Sequence, residues 1–181
     1  MLTIINIHDI RRIFNLFVLY LQKGRETMLL TTICYLKYEG KTLMLHRVKK
    51  QNDINQGKWI GIGGKIEKGE SPLECIHREF FEETGLTIKD VELKAYVTFP
   101  GLHYGEDEGM FLYVARNFEG ILNTVCDEGI LQWVDDEMIP TLPMWEGDSY
   151  FEAWLNQPGF VEAKFTYKDD HLIEKKIKHY L

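Results

Sequence analysis

Gly64-Lys65-Ile66-Glu67-Lys68-Gly69-Glu70-Ser71-Pro72-Leu73-Glu74-Cys75-Ile76-His77-Arg78-Glu79-Phe80-Phe81-Glu82-Glu83-Thr84-Gly85-Leu86 spells a glycine-rich turn followed by a helix with both ends marked. Ser71 is placed as N-cap, Pro72 as the first helical residue and Glu74 as the partner that closes a capping box, while Gly85 supplies the stop. Leu73, Ile76 and Phe80 recur at helical spacing and form an apolar stripe able to pack on a sheet. The opposite face carries Arg78, Glu79, Glu82 and Glu83, and there the pattern works against helix stability. Carboxylates at i, i+3 and i+4 share one side, and each like-charged pair costs roughly 0.2–0.5 kcal/mol. The last two also stand near the helix C-terminus, where the macrodipole disfavours anions.

Three carboxylates directed at a single point suit a hard divalent cation. Mg²⁺, with Mn²⁺ as a substitute, binds through a few carboxylates and keeps positions for water and phosphate oxygens. A cation held this way screens polyphosphate charge and activates water, so the implied chemistry is hydrolysis at phosphorus. One of the glutamates is also able to serve as general base, and the pattern leaves both roles open. No Ser-His or Cys-His arrangement for a nucleophile is legible, and His77 reads as a surface residue.

Before the helix, Trp59 to Lys65 carries Gly61, Gly63 and Gly64, a place where backbone passes close to a neighbour or a ligand. Leu30 to Tyr38 and Thr42 to Val48 read as a hairpin around Glu39-Gly40. After the helix, Val91 to Phe99, Met110 to Arg116 and Ile130 to Val134 read as strands and Ser149 to Asn156 as a second helix. Val161 to Tyr167 and Leu172 to Ile177 follow as strands joined at Asp169-Asp170. Glu106-Asp107-Glu108 and Asp135-Asp136-Glu137 read as solvated loops. With no internal repeat, one mixed α/β domain over residues 28–181 is the economical organisation.

Composition agrees. A chain of 181 residues with 45% hydrophobic and 13% aromatic content can fill a core. A formal charge of −7 argues against nonspecific attraction to nucleic acid or to an anionic membrane, so a polyphosphate ligand needs local cations. Cys34, Cys75 and Cys126 are odd in number and far apart, which suits reduced thiols in a cytoplasmic protein.

Residues 1–27 are expected to be an extension ahead of the domain. Arg11-Arg12 and the apolar run Ile13 to Leu21 imitate a signal peptide, but the run is too short to span a bilayer and no small-residue cleavage site follows. Lys23-Gly24-Arg25-Glu26 can be encoded by a purine-rich message just ahead of a start codon for Met28. The segment is therefore read as untranslated leader, with a packing or anchoring N-terminal helix as the other option. The intact mass of the natural product decides between them.

Gly64, five residues, Glu70, seven residues, then Arg78-Glu79-Phe80-Phe81-Glu82-Glu83-Thr84-Gly85-Leu86 resembles the Nudix box. Only Phe80 departs, standing where the family usually has an aliphatic residue. The resemblance implies a Nudix-type α/β/α sandwich with a mixed β-sheet. It also implies that Glu79, Glu82 and Glu83 bind metal, that the Gly64 carbonyl joins them, and that Arg78 and Glu70 orient the carboxylates.

Outside the box, the chain resembles the MutT-type branch with its 8-oxo-dGTP diphosphatases from about Met28 nearly to the end. Gly57-Lys58-Trp59 leading into Gly61-Ile62-Gly63-Gly64-Lys65, Cys126-Asp127-Glu128 ahead of Trp133, and Met144-Trp145-Glu146-Gly147-Asp148-Ser149-Tyr150 carry the likeness. It implies Glu128 as a distal carboxylate reaching the metal or activating water, and Trp145 and Asp148 as the groups that stack on and hydrogen-bond a purine. Lys50, Lys58, Gly63, Gly64 and Lys65, with Arg47, are the remaining candidates for substrate contact. Two positions depart: Ile60 stands where the animal sanitising enzymes place a purine-contacting Asn, and Gly147 replaces the first acid of an Asp-Asp pair.

The expected activity is a Mg²⁺-dependent nucleoside triphosphate pyrophosphohydrolase that releases a monophosphate and pyrophosphate. Its expected substrate is 8-oxo-dGTP, in the service of nucleotide-pool sanitation and DNA repair. The rivals are a Nudix hydrolase of ADP-ribose or a dinucleoside polyphosphate, and a non-catalytic nucleotide-binding Nudix domain. The expected partner is a small-molecule nucleotide, with no nucleic acid or membrane, in a monomer or homodimer.

Overall fold

The computed structural model describes residues 28–49, 53–103 and 105–180; the expectations for residues 1–27 and for Lys50 lie outside the described residues. In chain order the elements are β1 (Leu29–Tyr38), β2 (Lys41–His46), β3 (Trp59–Ile60), α1 (Pro72–Thr84), β4 (Leu86–Lys89), β5 (Glu92–His103) and β6 (Glu106–Ala115). They continue with β7 (Asn117–Gly120), β8 (Ile130–Asp135), α2 (Phe151–Asn156), β9 (Phe160–Lys168) and β10 (His171–Tyr180). Both expected two-residue turns form. Glu39 and Gly40 (φ 51° and 75°) join β1 to β2, and Asp169 and Asp170 (φ 50° and 65°) join β9 to β10. Two successive positive φ values give the twist that matches the flanking strands.

The main sheet runs β10-β9-β5-β6-β1-β2-β3, with β8 added on β2. It is mixed: β1 with β6 and β5 with β9 are parallel, and the other pairs are antiparallel. Period-two alternation sends side chains to opposite faces. Cys34 and Leu36 of β1 and Leu43 and Leu45 of β2 pack with Ile76 and Phe80 of α1, while Tyr35 and Met44 between them pack with Phe151 and Trp154 of α2. A helix on each face of one sheet is an α/β/α sandwich. Burying a side chain such as Phe80 contributes roughly 1.5–3 kcal/mol.

Four expectations are corrected. Leu73 is 47% exposed; the row of α1 that packs runs Ile76, Phe80 and Thr84 at four-residue steps, with Cys75 beside it. The second helix is split into a 3-10 turn over Glu146–Tyr150 and the six-residue α2. β4 and β7, two elements not expected from the sequence, pair in a separate two-stranded sheet. Glu106 and Glu108 lie in β6 rather than in a loop, and Thr31 Oγ1 donates to Glu108 (2.6 Å). Asp136 is partly buried, on Lys37 (3.2 Å) and Thr42 (2.6 Å), whereas Asp135, 63% exposed beside Lys41, and Glu137 keep the expected solvated character.

Candidate functional site

The ends of α1 form as the sequence indicates. Ser71 Oγ accepts from the Glu74 amide (3.2 Å), the Ser71 amide donates to Glu74 Oε2 (2.8 Å), and Gly85 at φ 74° donates to the Phe81 carbonyl (2.8 Å). This register sets the polar face of the helix against the turn that precedes it. Arg78 forks onto Glu70 through Nε (2.7 Å) and Nη2 (2.9 Å), and its Nη1 donates to Glu79 (2.7 Å) and Glu82 (3.2 Å). The Arg78 guanidinium, with the Glu67 amide, holds the Glu70 carboxyl down to about 2. Gly64 lies directly on this assembly, where a Cβ would come within 2.5 Å of the Glu79 carboxyl carbon.

A cleft of about 530 Å³ opens over the sheet beside this turn. Glu79, Glu83 and Glu128 line one end of it with Gly63, Gly64 and Lys65. Glu82 is outside the lining, its side chain 58% exposed and bonded to the same Arg78 nitrogen that holds Glu79. Among the described residues, no three His, Cys, Asp or Glu side chains are already gathered as a cation cage. The cleft carboxylates nevertheless fit a hard divalent ion: their donors are all oxygen, and the absent Cβ of Gly64 leaves the approach to Glu79 open. The charge balance of the lining points the same way. Asp53, Glu79, Glu83, Glu106, Glu108, Glu128 and Asp148 share the described lining with two cationic side chains, Arg47 and Lys65, so a polyphosphate entering this cleft requires added cations.

The other end of the cleft is aromatic. Trp145 Nε1 donates to Asn55 Oδ1 (2.8 Å), its ring meets Tyr167 edge-on at 5.2 Å, and Lys58 Nζ sits 4.3 Å over its face. Ile60, Phe99 and Phe151 complete the apolar lining around Asp148. Burial pushes the Asp148 carboxyl up to about 7, against a backbone hydrogen bond at Trp145 and the Lys58 charge.

Two of the expected phosphate contacts are placed differently. Arg47 is buried and gripped by two carboxylates, with Nη2 2.5 Å and Nε 2.8 Å from Asp53 Oδ2 and Nη1 on Glu128. Lys58 is stacked on Trp145 and does not line the cleft. Asp53, Asn55, Phe99 and Tyr167 have no local signature in the sequence, and only the fold brings them to the cleft.

A family model described as NUDIX domain matches residues 28–155. The chain is a Nudix hydrolase. It is 35% identical over 140 residues to the Bacillus subtilis Nudix hydrolase YvcI, covering 75% of this chain and 85% of that protein. It is 30% identical over 154 residues to the oxidized purine nucleoside triphosphate hydrolase of Danio rerio, covering 83% and 95%. The crystal structure of a mutator MutT protein from Bacillus halodurans superposes with a TM-score of 0.74 at 29% identity, covering 83% and 97%. Family members act on small nucleotide substrates as pyrophosphohydrolases and generally use divalent cations. Among the described residues of this Nudix hydrolase, no helix is long and apolar enough to cross a membrane.

The fold explains one departure of this Nudix hydrolase. Gly147 donates its amide to Tyr167 Oη (2.8 Å), and a Cβ there would come within 2.6 Å of that oxygen and 2.7 Å of the Phe165 ring. An acid at this position has no room. Gly147→Asp is expected to destabilise the protein by roughly 1–3 kcal/mol through overpacking, read as a lower melting temperature. An unchanged melting temperature would show that the aromatic pair yields easily.

Proposed function

We propose that this Nudix hydrolase converts nucleoside triphosphates, with 8-oxo-dGTP as the preferred substrate, to the monophosphate and pyrophosphate in nucleotide-pool sanitation. The observation that carries this reading is the cleft itself, in which a carboxylate end and an aromatic end with a buried acid share one 530 Å³ space. That pairing suits a ligand with a polyphosphate tail and a flat polar head. The relatives named as oxidized purine nucleoside triphosphate hydrolases, from zebrafish and from mouse, support the substrate class.

In this reading Glu79, Glu83, Glu128 and the Gly64 carbonyl hold Mg²⁺ or Mn²⁺, with Glu82 as an outer member of the set. When bound, the ion neutralises phosphate charge and lowers the pKa of water. Arg78 holds Glu79 in place and Glu70 holds Arg78. A carboxylate of the cleft takes the proton of the attacking water, Lys65 faces the phosphates, and Trp145 stacks on the base while Asp148 bonds its edge. Hydrolysis of one anhydride bond consumes one water and leaves the two products.

Formation of the nucleoside monophosphate with Mg²⁺ should be compared for 8-oxo-dGTP, dGTP, the other triphosphates and ADP-ribose, with pyrophosphate as the second product of the triphosphates. A preference for 8-oxo-dGTP is the expected result. Turnover of ADP-ribose alone would keep the hydrolase and discard the sanitation role.

A further inference from the structure

We propose that Arg47 is a positioning residue that couples the base-recognising end of the cleft to its carboxylate end, through a relay from Glu128 by way of Arg47, Asp53 and Asn55 to Trp145. Its kinetic side rests on the proposed triphosphate hydrolysis; its conformational side rests on the fold alone.

Each link is a direct contact. Arg47 follows the last residue of β2, and its backbone is fixed on both sides: its amide donates to the Lys58 carbonyl (3.0 Å) and its carbonyl accepts from the Gly57 amide (2.7 Å). Its side chain, buried and aimed into the cleft, divides its donors between Asp53 and Glu128. Asp53 Oδ1 accepts from the Asn55 amide (3.1 Å), and Asn55 Oδ1 accepts from the Trp145 indole (2.8 Å). All five residues line the same cleft.

The backbone at Glu128 is held separately, by the Lys49 amide on its carbonyl (3.2 Å) and by Lys49 Nζ on the Cys126 carbonyl (2.7 Å). What Arg47 decides is therefore the direction of the Glu128 carboxylate rather than the position of its loop. One guanidinium serves two carboxylates, so removing it takes away the cation that Asp53 and Glu128 share and changes the balance that directs both. An arginine already spent on two partners acts on the reaction through them. A phosphate ligand, by contrast, would lose only phosphate affinity when replaced.

The test uses the full chain. The indole ¹H–¹⁵N resonances of its four tryptophans are recorded without ligand in wild type and in Arg47→Met. The Trp145 resonance is expected to move while those of Trp133 and Trp154 stay. Arg47→Lys keeps the charge but cannot bridge both carboxylates, and it is read in the same way should Arg47→Met fail to fold. A Trp145 resonance at its wild-type position in the folded variant overturns the relay.

Turnover is then measured in a cycle of Arg47→Met and Glu128→Gln. Alone, Arg47→Met is expected to lower kcat/KM by roughly 10–100-fold, mostly in kcat. In the Glu128→Gln background it should cost less than about threefold, because the group it positions is already disabled. Equal losses in both backgrounds, or a loss confined to KM, overturn the proposal in favour of a direct phosphate contact. A wild type inactive on every nucleotide of the panel would sink the proposed function, and the indole resonance would still decide the relay.

Discussion

Glu83→Gln is expected to lower kcat by roughly 10²–10⁴-fold. Glu83 stands one turn after Glu79 and one residue after Glu82, lines the cleft with Glu79 and Glu128, and keeps its Oε2 buried from solvent. Three carboxylates on the last turns of a helix repel one another and the macrodipole, by roughly 0.2–0.5 kcal/mol for each close pair. Gln keeps the shape and removes the charge, so the oxygen cluster loses an anion. Glu79→Gln should be equally inactive and also less stable than wild type, because Glu79 is a charged partner of Arg78 at 2.7 Å. Saturating rates of pyrophosphate release and thermal melts of both variants check this. Wild-type kcat in Glu83→Gln would remove the helix from the reaction.

Asp148→Asn should make the protein more stable at pH 8 than at pH 5 relative to wild type. Burial, the dominant cause, pushes the Asp148 carboxyl up from 3.8 to about 7. The folded protein thus holds this proton more tightly than the unfolded chain. The resulting stability is complete below pH 3.8, drains as pH climbs toward about 7, and is gone above it. Asn does not titrate, so the difference between variant and wild type should widen across that interval to the order of a few kcal/mol and then level off. Parallel melting curves from pH 4 to pH 8 would contradict the buried environment of Asp148. The same titration changes what the base end offers. Protonated Asp148 donates a hydrogen bond and ionised Asp148 only accepts, so the wild-type preference among purine triphosphates should change through pH 7, whereas that of Asp148→Asn should stay flat.

Much of the site was legible because it is local. Ser71, Glu74 and Gly85 interact within four residues, and the spacing of Arg78, Glu79, Glu82 and Glu83 follows from the pitch of one helix. Trp145 and Asp148 were legible as a motif, and the fold put them on the cleft with Glu79, Glu83 and Glu128. Glu82 shows the limit of spacing: it shares an Arg78 nitrogen with Glu79 yet stays outside the cleft lining.

By itself, the sequence determined the α/β class, both two-residue turns, the boundaries of α1 and the acid-rich character of the site, since each depends on neighbours in the chain or on a simple period. The tertiary structure alone decided what Arg47 touches, why Gly147 bears no side chain and which acids share the cleft. Arg47 meets Glu128 across 81 positions, Trp145 meets Asn55 across 90, and Gly147 meets Tyr167 across 20. Partners so distant leave no periodic trace; strand order and register bring them together, and those are set by how the whole core packs.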